Sequence, residues 1–182
     1  MPVANNIKIA FSGIISSLAV VVMLFAGLIP IASLALPAIA GCLFIPVVVE
    51  IGEKWGYACF LVTAVLSFFL TADKEAFVIF ILFFGYYPIL YSSFCKIKSK
   101  FLAYLLKLII FNIAAVLDYL VTTFILGIPQ ESIEVLGQYT LLVVLILANV
   151  VFVVFDYALK GVVREYYRRF HKMAQKFLYK KM

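Results

Sequence analysis

Charge is what this sequence has least of. Only 13% of its 182 residues are Asp, Glu, Lys or Arg, against 66% hydrophobic, and the mean hydropathy is +1.17. A soluble core has no use for that much apolar length, so a water-soluble globular domain is excluded. Histidine occurs once, at His171 among tail cations. That removes two-histidine metal sites and the Ser-His arrangements of hydrolases, and leaves His171 expected in solvent or at lipid headgroups. Of three cysteines, Cys42 and Cys59 fall in apolar runs and Cys95 beside a basic loop, a spacing that suggests neither a disulfide framework nor a zinc site. A G-x-x-x-x-G-K-[ST] loop is also missing, so the chain has no evident means of hydrolysing ATP by itself. Binding or transport is expected rather than catalysis, and no cofactor is implied.

What is present is apolar sequence broken by a few charges. Between Lys8 and Glu50 lie 41 residues with no ionisable group. As one helix they would reach ~62 Å, about twice the hydrocarbon thickness, so the stretch must fold back. Gly27 to Pro30 is the natural bend, because proline lacks the helix donor and disfavours helical geometry in the residue before it. The apolar run after Lys8 also far exceeds the ~7–15 residues of a signal-peptide core, so a cleaved leader is not expected. These breaks give an all-α integral membrane protein with six transmembrane helices, at 9–29, 34–51, 55–72, 76–92, 101–127 and 138–160. Pro46 is expected to kink the second. Residues 1–160 form the membrane domain and 161–182 a basic amphipathic tail.

Six crossings put both termini on one side. If that side is the cytosol, it receives Lys8, Lys54, Lys96, Lys98, Lys100 and the eight tail cations, and the outer loops receive only Lys74. Excess Lys and Arg stay on the cytoplasmic side, which sets the orientation with both termini in the cytoplasm, in a cell membrane. The alternation of basic and aromatic residues after Lys160 suits an interfacial anchor on anionic lipid and not nucleic acid.

An ionisable side chain at membrane depth costs about 2.5–3.5 kcal/mol on insertion scales, so each needs a partner or a wet cavity. Lys107, Asp118 and Asp156 are the cases. Lys107 and Asp156 share a depth in antiparallel helices and are expected to form a structural ion pair, with snorkelling of Lys107 as the alternative. Asp118 lies ~13 Å below the outer end of the fifth span and ~16 Å from Lys107 along the axis, so it needs something else. With Asn112, Tyr119 and, across from them, Asn149, it either lines a polar cavity open to the outside or helps to staple the helices together. Lys74, alone among outer cations, is either solvated or set over the mouth of that cavity. On the first span, Ser12 and Ser16, or Gly13 and Ser17, make small-x-x-x-small stripes that allow a helix to approach closely, from inside the bundle or from a partner subunit.

Two stretches carry a resemblance. Leu28-Ile-Pro-Ile-Ala-Ser-Leu-Ala-Leu-Pro37 resembles the loop after the first helix of the substrate-binding S components of energy-coupling-factor vitamin transporters. Asp73-Lys-Glu-Ala76 followed by Phe83-Phe-Gly-Tyr-Tyr-Pro88 resembles a group of S-component-like bacterial membrane proteins. The resemblance implies a bacterial plasma-membrane subunit that captures a small water-soluble nutrient outside and works with a membrane coupling subunit and two ATPases. It places the ligand under loops 30–36, 72–75 and 128–138, and the polar groups already singled out, Lys74, Asn112, Asp118, Tyr119 and Asn149, are then the candidate binding residues. It also implies a coupling surface on the first helix, where the family's Ala-x-x-x-Ala is replaced by Ser12/Ser16 or Gly13/Ser17. Two further readings compete: a scaffold of a cell-envelope assembly, similar in size to the MreD proteins of rod-shape assemblies, and an autonomous transporter or channel.

Overall fold

The computed structural model describes residues 5–29, 33–127 and 140–179, and every regular element among them is helical. Helix α1 (Asn5–Ala26) stops at the expected bend, where the Gly27 amide donates to the Leu24 carbonyl at 3.3 Å. The expected second span is two short helices, α2 (Ala35–Cys42) and α3 (Ile45–Glu50), with Pro46 in the first turn of α3. Proline has no N–H for the carbonyl one turn earlier, so the ladder breaks there. The run Ala35–Glu50 would reach only about 24 Å, less than the ~30 Å of a hydrocarbon core. Gly52, at φ 120°, then turns the chain into α4 (Glu53–Leu70).

The expected fourth span is also discontinuous. It consists of α5 (Lys74–Ile79), a π-helical turn (Phe80–Phe84) and α6 (Tyr87–Phe94), which opens on Pro88. The fifth, α7 (Lys100–Leu120), runs into a second π turn (Val121–Ile125). The last, α8 (Thr140–Glu165), continues without interruption through a third π turn (Tyr166–Phe170) into α9 (His171–Tyr179). Among the described residues five helical runs are long and apolar enough to cross a membrane: Asn5–Ala26, Glu53–Leu70, Lys74–Phe94, Lys100–Ile125 and Leu145–Gln175. Ala35–Glu50 is a shorter sixth.

Two cores hold these helices. In the first, α1 packs along α4, with Ser12, Ser16 and Ala19 buried on one helix and Cys59, Thr63 and Ser67 on the other. Small side chains at this spacing bring the two backbones close, and the Cys59 thiol reaches the Ser12 carbonyl at 3.6 Å. The second core is aromatic: Phe83 meets Tyr87, Phe111, Phe152 and Phe155, and Phe111 stacks on Phe152 at 4.6 Å. Gly41 joins the two, because a Cβ there would fall 2.0 Å from the Phe84 carbonyl oxygen. The outward faces are apolar. Phe69, Phe101, Phe124, Ile125 and Tyr157 are each at least three-quarters exposed. Water does not favour such a continuous surface and hydrocarbon does, in accord with a membrane protein.

Candidate functional site

The polar groups at membrane depth fall at three levels along α7 and α8. At the level nearest the tail, Lys107 Nζ is 2.7 Å from Asp156 Oδ1, and both side chains are buried. The Tyr87 hydroxyl donates to the same oxygen at 2.7 Å, and Lys160, one turn along α8, reaches Oδ2 at 3.0 Å. The Lys107 ammonium also lies 4.2 Å from the centroid of Tyr91 and 5.9 Å from that of Phe94. A buried carboxylate is tolerated when its lone pairs are filled, and here two ammonium groups and a phenol fill them. Lys160 was readable as an i, i+4 neighbour of Asp156; Tyr87, 69 residues away, carried no sequence signal.

At the middle level Asn112 and Asn149 face each other. The Asn112 amide donates to Asn149 Oδ1 at 3.1 Å, and the Asn149 amide donates to Asn112 Oδ1 at 2.9 Å. Each amide donates its second hydrogen to a carbonyl one turn back on its own helix, Leu108 and Leu145 respectively, at 2.8 Å. A primary amide has two donors, and both are spent. These residues join α7 to α8, and neither amide has a donor left over.

The third level is different. Asp118 Oδ1 is buried and has no hydrogen-bond partner among the described residues, and the same holds for Thr122 Oγ1 and Thr123 Oγ1 beyond it on α7 and its π turn. Tyr119 is half-buried beside them. The charged group that acts on Asp118 is Glu75, another acid. Lys74 does not neutralise either: its ammonium donates to the carbonyls of Phe68 and Thr71, at 3.0 Å each, and so caps α4. One of its three donors is left, and the side chain is exposed. Asp73 caps α5 through the Ala76 amide at 3.0 Å and accepts from the Ser33 hydroxyl at 2.7 Å, which ties the turn after α4 to the segment before α2. Of the loops expected to cover a ligand, 30–32 and 128–138 lie outside the described residues.

The two stripes on α1 part company. Ser12 and Ser16 face into the bundle, buried against α4. Gly13 and Ser17 face outward, with nothing within 4 Å of a Cβ built on Gly13.

At the tail end the basic segment is docked. Glu50, at the end of α3, accepts from the Tyr166 hydroxyl at 2.9 Å, and His171 Nδ1 lies 2.7 Å from the same oxygen. His171 is thus partnered by a buried carboxylate, not simply solvated, and Arg168 and Arg169 pair with Glu165. Beside this contact a cavity of about 780 Å³ opens between α3, α4, α6 and α8. Glu53 on its wall accepts from Ser92, Ser93 and Lys96 at 2.5, 3.1 and 2.6 Å. No sequence signal pointed to it, because its walls come from four separate helices.

No family model matches the chain, and neither does any curated protein or solved structure.

Proposed function

We propose that this chain is the substrate-capture subunit of an ATP-driven importer of the energy-coupling-factor type, with both termini in the cytoplasm of a bacterial cell. It binds a small water-soluble nutrient from outside and passes it inward with a membrane coupling subunit and two ATPases. The observation that carries the reading is Asp118: a carboxylate oxygen buried at the end of the bundle away from the basic tail, which, like two threonine hydroxyls beside it, has no hydrogen-bond partner among the described residues. A buried polar group left unsatisfied costs about 1–3 kcal/mol, more when charged, and a bound solute or its water removes that cost. Asn112 and Asn149 drop out of the binding set, leaving Asp118, Thr122 and Thr123 with Tyr119 adjacent. Gly13 and Ser17, being outward, replace Ser12 and Ser16 as the stripe on which a coupling subunit docks.

The test is native mass spectrometry of gently extracted protein, wild type beside Asp118→Asn. A retained small molecule in the wild type that is lost from a folded variant supports capture. Empty protein in both, after growth in rich medium, points to the scaffold reading instead. That second reading is favoured by the middle and tail-side levels, where Lys107 with Asp156 and Asn112 with Asn149 join one helix to another.

A further inference from the structure

We propose that the cavity between α3, α4, α6 and α8 is a binding site for one anionic phospholipid, with its headgroup phosphate at Lys54 and Lys96 and an acyl chain on the apolar inner wall. The site stands apart from the Asp118 region and does not depend on the importer reading. Its volume, about 780 Å³, lies within the roughly 300–1,000 Å³ of ligand pockets.

The lining is amphiphilic in an ordered way. Its buried members, Ile45, Val48 and Pro88, are apolar, whereas Lys54, Cys95 and Lys96 at the mouth are exposed. A water-soluble solute would meet hydrocarbon on the inner side; a lipid would meet hydrocarbon with its chain and polar groups with its head. Charge decides the head. Three charged residues line the cavity, Glu53, Lys54 and Lys96. Both Glu53 oxygens are already occupied by Ser92, Ser93 and Lys96. Lys54 makes no hydrogen bond or ion pair among the described residues, and Lys96 spends one donor on Glu53 while its side chain stays 71% exposed. An ammonium has three donors, so each lysine can also bind a phosphate oxygen. Basic pockets between helices at the cytoplasmic surface favour anionic headgroups for the same reason.

Trp55, the single tryptophan of the chain, is on the cavity wall and makes the proposal measurable. In detergent, the full chain is titrated with phosphatidylglycerol carrying brominated acyl chains, and Trp55 fluorescence is followed. Quenching should saturate near one lipid per protein, and brominated phosphatidylcholine should need at least tenfold more. The Lys54→Gln/Lys96→Gln variant should respond to phosphatidylglycerol as it does to phosphatidylcholine while still melting cooperatively, and Lys54→Gln alone, which breaks no contact among the described residues, should weaken the phosphatidylglycerol response several-fold at an unchanged melting temperature. Equal, unsaturating quenching by both lipids would overturn the proposal, since it reports only mixing into the micelle. So would displacement of the lipid by millimolar glycerol phosphate, which would make the site one for a free anion.

Discussion

Asn112 and Asn149 exchange amide hydrogen bonds across α7 and α8, at 3.1 Å in one direction and 2.9 Å in the other. The pairing is self-contained. Replacing one partner strands the other, whereas replacing both with leucine leaves nothing unsatisfied. Asn112→Leu and Asn149→Leu should each lower stability by about 1 kcal/mol or less, and the double variant should recover most of it. Thermal melts in detergent measure this. Any small molecule retained by the wild type should stay bound in both single variants; its loss would restore these residues to the binding site.

Removal of Lys107 is a harsher change. Lys107→Met leaves the buried Asp156 carboxylate with Tyr87 and the more exposed Lys160, and a buried ion pair broken on one side typically costs about 3–5 kcal/mol. The Lys107→Met/Asp156→Leu double variant should be closer to wild type than Lys107→Met. A double-mutant cycle that shows additive losses would mean that the two side chains are not coupled in solution.

On α1, positions three residues apart should behave oppositely. Ser16 is 4% exposed and packed, so Ser16→Leu should overfill the contact with α4 at a cost of about 1–3 kcal/mol. Gly13→Leu meets open space and should leave the melt within about 0.5 kcal/mol of wild type. If a coupling subunit docks on this face, Gly13→Leu should reduce co-purification of that subunit with the chain.

The tail contact can be probed by proteolysis. Glu50 holds both Tyr166 and His171 from the end of α3, so Glu50→Ala removes both polar ties at once. Trypsin should then cut at the tail Lys and Arg residues several-fold faster than in the wild type. Equal rates would show that packing alone keeps α9 in place.

The apolar runs, the segregation of cations toward one end of the sequence and the break at Pro46 could all be read from the chain. So could the shared depth of Lys107 and Asp156, because charge at membrane depth needs a partner or a wet cavity. What could not be read was which face of each helix points inward. Ser12 and Gly13 are neighbours in sequence but lie about 100° apart around α1, and a first span that is apolar nearly all round gives periodicity nothing to discriminate. The same ambiguity made Asn112 and Asn149 look equally suited to a cavity or a staple, and hid that Lys74 reaches two carbonyls at the end of α4.

Hydropathy and the missing proline donor are properties of a residue and its immediate neighbours, so the apolar helical runs and their approximate ends are local and survive without coordinates, whereas the run Ala35–Glu50 proved shorter than a full span. Partner choice is not local. Tyr87 and Asp156 are 69 residues apart and Glu50 and His171 are 121 apart, and they meet only because the helices settle in one arrangement and one rotation. That arrangement follows from the packing of small residues between α1 and α4 and of aromatic rings between α6, α7 and α8, which no single segment encodes.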